Sequence, residues 1–345
     1  MRIGPENGHN RWHPDLDPVV HVEPGVSITL DTRDGLDGQL NASSTSIDIA
    51  ALSIGAAHPL TGPVFVDGAE PGDLLAIEIL DIGTPTYGVN CIIPGFGFLA
   101  DLFTDPFVVH WELDGAYARS STLPGIAVRA VPHPGVIGVA PSHVLMAAQR
   151  EREAAILAAG GPVAPPLEDG AYPAVAALGL RTVPPRENGG NVDIRRLVPG
   201  STLYLAVHVP GALFSLGDVH FAQGDGEVCG TGIEIDASVT VSFHVQKGAG
   251  GTTRFPSYRT PARPGRERFA TTGIPEHDPL DLTVAARNAL LAMIDWLVRE
   301  HGFSREAAYC LCSACVDLTL SQVVDIPYPL VSALCPLDIF EGASS

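Results

Sequence analysis

The chain has 345 residues, Lys+Arg 20 against Asp+Glu 39, a formal net charge of −19, and 46% apolar residues. The apolar share fits a globular core and excludes disorder of the whole chain, while the charge excludes nucleic acids and anionic membranes, which require basic patches. Gly and Pro make up about a fifth of the chain, which favours many short strands over a helical bundle.

From the N-terminus, no apolar run follows Arg2, so no signal peptide is read. No stretch reaches the roughly 18 apolar residues of a membrane span. Three Pro-Gly turns each lead into a strand of period two. Pro24-Gly25 precedes Val26–Leu30, Pro71-Gly72 precedes Leu75–Ile79, and Pro199-Gly200 precedes Leu203–Val207. The last two match further at a constant offset of 128: Gly62/Gly190, Val64/Val192, Val66/Ile194, Pro71/Pro199, Gly72/Gly200, Leu75/Leu203, Ile77/Leu205 and Ile79/Val207. This is the pattern of an internal repeat of strand, turn and strand, and a cleft between two related units is a natural site.

Helices are few. Ser142–Gly160 opens on a capping Ser and closes on Gly-Gly; Asp281–His301 carries apolar residues at helical spacing; Ser304–Leu318 follows Gly302. Lys247–Pro279 reads as an irregular arm. The expected fold is mainly β with α cover (α+β), with two related β-rich units and a C-terminal helical pair. Its parts are an N-terminal unit (1–140), a second β unit (141–245), and the arm with the C-terminal helices (246–345), within one compact catalytic body.

Six cysteines, Cys91, Cys229, Cys310, Cys312, Cys315 and Cys335, are too sparse for a disulfide framework. A cytoplasmic location with reduced thiols is expected. Cys310, Cys312 and Cys315 fall on a helix and lack the second pair of a structural zinc site. Lys247 is the sole lysine and lies in a Gly-rich turn, where it reads as a solvated cation.

Chemistry concentrates between Ser215 and Gly230. Asp218 and His220 are two apart, so a strand sends both side chains from one face. Imidazole with carboxylate suits zinc, manganese or iron. Gly224-Asp225-Gly226 bends the chain so that Glu227 returns as a third carboxylate. Asp225 reads either as a turn former or as a ligand, and Gln223 either binds substrate or bonds locally. Asp34, at the end of a strand, would complete a metal set. His58, between loops rich in proline, reads as a ligand, a proton carrier or a satisfied loop group. Glu187-Asn188-Gly189-Gly190-Asn191-Val192-Asp193 has the look of a substrate or oxyanion loop, and Asn90–Leu99 would wall an apolar pocket. The chain contains no nucleophile elbow, no H-E-x-x-H and no phosphate loop.

The run Gly217-Asp218-Val-His220 to Gly224-Asp225-Gly226-Glu227-Val-Cys229-Gly230 resembles the acetamidase/formamidase family, as do Glu187–Arg195, His58–Val64, Gly68–Asp73 and Ser304–Tyr309. His208 and residues 83–110 depart from the family pattern. The resemblance implies hydrolysis of small amides of the formamide and acetamide type to a carboxylate and ammonia, a homodimer or higher homo-oligomer, and a divalent metal, zinc first and calcium second. With one lysine, lysine-based amidase centres are disfavoured and a metal-activated water becomes the simplest nucleophile. The expected roles are Asp34, Asp218, His220 and Glu227 as metal ligands, with Glu227 alternatively the general base. His58 or Asn188 would orient the carbonyl, and Gln223 and Glu187 would bind substrate. The alternatives are a hydrolase of cyclic amides, γ-lactamase-like, and a non-catalytic amide-binding protein; a Cys229 nucleophile is the further enzymatic option.

Overall fold

The computed structural model describes residues 1–161, 163, 170–252, 254–261, 268–275, 280–322 and 330–341. Two β-sheets carry the chain. In the six-stranded sheet the order is Arg2–Ile3, Ile28–Thr32, Ala237–Gln246, Leu74–Gly83, Thr202–Ala206, Ser257–Arg259. An eleven-stranded sheet holds Phe214–His220 near its middle, with His133–Val139 on one side. On the other side that strand meets Leu60–Val66 along its first half and Glu234–Ile235 at its end. The alternating strand residues, Leu75, Ile77 and Ile79 against Leu203 and Leu205, are fully buried in one shared core, as period-two patterning requires.

The repeat has a geometric expression. Leu74–Gly83 and Thr202–Ala206 are antiparallel neighbours, with Leu75 opposite Leu205, Ile77 opposite Leu203, and the equivalent residues Ala76 and Tyr204 opposite each other. The flanking bonds obey the same two-fold relation: Gly72 N donates to Val207 O and Gly200 N to Ile79 O. Gly72 and Gly200 have φ of 95° and 88°, the left-handed position after Pro that a type II turn reserves for glycine.

Helix His143–Ala158 is capped by Ser142, whose side chain accepts from Leu145 N. Helix Leu282–His301 starts at Asp281, which accepts from Thr283 N and Val284 N, and stops at Gly302. Its face Ala285, Ala289, Leu290, Met293, Ile294 and Leu297 is buried. Helix Arg305–Cys315 follows, with every residue from Ala307 onward buried, so its three cysteines are core thiols. Both helices cover a three-stranded sheet of Arg268–Gly273, Leu330–Pro336 and Asp317–Gln322. The expected arm is thus partly ordered, because Ser257–Arg259 and Arg268–Gly273 join sheets; 262–267 and 276–279 lie outside the described residues. Lys247 is more than a solvated cation: it bonds Asp73 Oδ2 at 2.7 Å and Gly68 O at 2.9 Å.

The helical unit also sets the turn that carries Glu227. Gly224 N donates to Ser313 O at 2.6 Å, Leu318 N to Asp225 O at 2.8 Å, and Asp225 N to the Asp317 carboxylate at 3.0 Å. A Cβ on Gly224 would stand 1.9 Å from Val316 O, so only glycine admits this approach.

Candidate active site

His220 ends its strand, and the antiparallel register places His133 directly opposite on one side and Glu234 on the other. Its Nε2 lies 3.2 Å from Glu234 Oε1, 3.6 Å from Asp218 Oδ1 and 3.9 Å from Glu227 Oε1. Two overlapping sets, Asp218–His220–Glu234 and Asp193–His220–Glu227, each bring three ligand atoms within 4.8 Å of one another.

The second ring nitrogen is fixed by its surroundings. Gln223 Nε2 donates to Asp193 O at 3.0 Å, which turns its Oε1 toward His220 Nδ1 at 2.7 Å. A carboxamide oxygen only accepts, so Nδ1 carries a hydrogen and Nε2 is the ring nitrogen turned toward the carboxylates. This is the arrangement by which a metal-bound histidine is oriented. His133, with Nδ1 at 2.7 Å from Val131 O, stands behind Gln223. Burial and His220 push His133 down to about 3, which keeps it neutral.

Electrostatics make the same point. Four carboxyls, Asp218 and Glu234 buried and Asp193 and Glu227 half-buried, face one imidazole. Burial, against the pull of His220, pushes Glu234 up to about 8. Burial and then Asp193 raise Glu227 well above the usual carboxylate range, and burial raises Asp193. Burial opposes ionisation of Asp218 too, but His58 and His220 outweigh it and hold that carboxyl low. Burial would lower His220, yet Glu234 and Asp218 raise it well above its ordinary value. With all four carboxyls ionised, one imidazole cannot balance their charge, and a divalent cation suits the set. His220 Nε2, Glu234 Oε2 and Asp193 Oδ1 are also buried without a hydrogen-bond partner, and buried polar atoms in native proteins normally have one. The residues fit a metal.

The backbone is bent to bring the acids in. Asp193, Asp218 and Glu227 have φ of 44°, 53° and 42°, in a region that costs a non-glycine residue on the order of 1–3 kcal/mol and clusters at functional sites. Glycine makes the room. A Cβ on Gly35 would lie 1.9 Å from Asp218 Oδ1, and one on Gly135 would lie 2.6 Å from Asp193 Oδ1 and 2.7 Å from Asp218 Oδ2.

The acids stand in the wall of a cavity of about 630 Å³, which Asp218, Glu227, Glu234 and His58 line. A second cavity shares Gly95, Phe96, Val183, Asn191, Glu227 and Gly230 with it and is also lined by Asp193. Of the residues marked out by sequence, Asp218, His220 and Glu227 converge here, with His58 on the wall. Six others do not join either set of ligand atoms, for visible reasons. Asp34 caps its own loop, accepting from Leu36 N at 2.8 Å and Gly38 N at 3.0 Å. Asn188 donates to Val139 O at 2.8 Å. Glu187 is held by Arg152 at 2.7 Å and Gln149 at 2.9 Å. Gln223 is buried behind His220 and orients it. Asp225 pairs with Arg196, and the Cys229 thiol is fully buried and lines neither of these cavities. Glu234 joins the candidate ligand sets without having been singled out, and Asp193, marked by sequence only as the end of a substrate or oxyanion loop, joins them too. The signal for Glu234 was an acid between two isoleucines, Ile233-Glu234-Ile235, which is costly in a strand unless used.

The acetamidase/formamidase family model matches residues 2–342. An acetamidase of Mycolicibacterium smegmatis is 37% identical over 90% of this chain and 86% of that protein. A formamidase of Methylophilus methylotrophus is 34% identical over 96% and 89%. Among solved structures, a gamma lactamase from Delftia acidovorans superposes with a TM-score of 0.92 at 36% identity, over 98% of this chain and 90% of that one. With the family model spanning nearly every residue and relatives this similar along most of their length, the chain belongs to the acetamidase/formamidase family.

Proposed function

We propose that this amidase hydrolyses the C–N bond of small amides, formamide and acetamide among them, to a carboxylate and ammonia at the His220 cavity. His220, Asp218 and Glu234 would hold a divalent cation, zinc by the mix of imidazole and carboxylate. When bound there, such a cation lowers the pKa of water from 15.7 to about 7 and polarises the amide carbonyl.

The chain's own groups do the remaining work. His220 is held in one tautomer by Gln223. Glu227, whose proton affinity is raised by burial and by Asp193, takes a proton from the attacking water and gives it to the departing nitrogen, as acid–base catalysis requires. His58, on the cavity wall, orients the carbonyl oxygen. The observation that carries the reading is the buried His220 Nε2 facing three carboxylates at the cavity wall. Six cysteines, all free and buried, support a reducing, cytoplasmic setting. No helix among the described residues is long and apolar enough to cross a membrane.

Ammonia release from formamide and acetamide tests this. Dialysis against a chelator is expected to abolish it, and zinc is expected to restore it. Full activity in chelated, metal-free protein would refute the scheme. A second reading, ring opening of a γ-lactam, is favoured by the TM-score of 0.92 to a γ-lactamase. It is distinguished by product, since ring opening yields an amino acid and no ammonia.

A further inference from the structure

Resting on the amidase reading, we propose that this cavity is an acyl pocket, and that the preferred substrates are amides with a bulky apolar acyl group, a medium-length alkyl chain or an aryl ring. The cavity measures about 630 Å³, within the range that holds drug-sized ligands. Acetamide takes about the share of three liquid waters, each roughly 30 Å³, and would leave most of that space to solvent.

The lining says what fills it. Leu36, Ile54, Ile93, Phe96, Val163 and Val183 line the same cavity with apolar surface. Arg181 also lines the cavity, but its guanidinium donates to Ile54 O at 2.7 Å. An apolar surface of this extent is unfavourable against water and favourable against hydrocarbon. The direction of the substrate follows from Glu227. The amide nitrogen must lie next to the group that protonates it, and Glu227 stands where the two cavities meet. With the carbonyl at Asp218, Glu234 and His58, which line the first cavity but not the second, the acyl carbon chain lies in the first cavity, along its apolar lining.

The test is kcat/KM of the zinc-loaded full chain along formamide, acetamide, butyramide, hexanamide and phenylacetamide. Burial of each added methylene is expected to raise kcat/KM roughly fourfold, on the order of 10²-fold from acetamide to hexanamide. Ile54→Asp, at a residue 38% exposed and so tolerant of change, is expected to cut the hexanamide-to-acetamide ratio at least about tenfold. Turnover of formamide and acetamide with a flat or falling series overturns the acyl pocket and leaves the amidase reading standing. No turnover of any member removes the amidase reading, and the pocket with it.

Discussion

His220→Ala is expected to reduce amide hydrolysis on the order of 10³-fold or more, with zinc no longer bound at stoichiometric level. His220 is the one residue common to both candidate ligand sets. Its removal takes away the imidazole and leaves Asp193, Asp218, Glu227 and Glu234 with no opposite charge from the 214–220 strand. A cation that polarises the carbonyl contributes several kcal/mol to lowering the barrier, and each 1.36 kcal/mol is about tenfold in rate. Gln223→Ala separates ligation from orientation. It keeps the imidazole and frees its tautomer, so zinc affinity is expected to fall about 10–100-fold, between wild type and His220→Ala. Titration of zinc into metal-free protein reads this directly. A Gln223→Ala protein with wild-type affinity would show that Gln223 does not orient the ligand.

Asp317→Ala is expected to cost about 3 kcal/mol or more of stability, the largest expected effect outside the site. Asp317 is buried where helix Arg305–Cys315 passes into its strand, and it pairs with Arg195 and Arg268 while accepting from Asp225 N. Breaking a buried ion pair by removing one partner typically costs 3–5 kcal/mol; the partial exposure of Arg268 favours the lower end. Burial alone would raise the Asp317 carboxyl, but Arg195, the Asp225 N–H and Arg268 outweigh it and lower its pKa. A carboxyl lowered in the folded state contributes stability above its unfolded pKa and loses it as pH falls toward the folded one. The wild type is therefore expected to lose stability in acid below about pH 4 partly through this group, while Asp317→Ala shows a shallower acid slope. Chemical denaturation across pH 3 to 7 measures both; equal slopes would contradict the linkage. Since Asp317 also holds the turn before Glu227, a loss of turnover should accompany the loss of stability.

The sequence made the local features of the site legible. Period two put Asp218 and His220 together, and the glycines at 224 and 226 marked the bend that returns Glu227. The repeat was visible as a single offset and appears as the two-fold pairing of Ala76 with Tyr204. What was hidden depends on pairing between distant segments. Glu234 reaches His220 because the 214–220 strand turns back against Glu234–Ile235, and no spacing along the chain expresses that register. Asp193 arrives because Val192 N and Asp193 N both bond Gly135 O. Glu187 reads from the sequence as a substrate-binding acid in a polar loop, but a helix some 35 residues earlier carries Arg152 to it. Asp34 looked like a ligand at a strand end, but its carboxylate is used on backbone N–H groups of its own turn, as Asp commonly does.

Anomalous diffraction at the zinc edge from crystals of the zinc-loaded protein tests the central claim most directly. The expected result is a single strong peak within about 2.2 Å of His220 Nε2 and of carboxylate oxygens of Asp218 and Glu234. A peak held by other residues, or none beside His220 in protein that turns over amide, would contradict it.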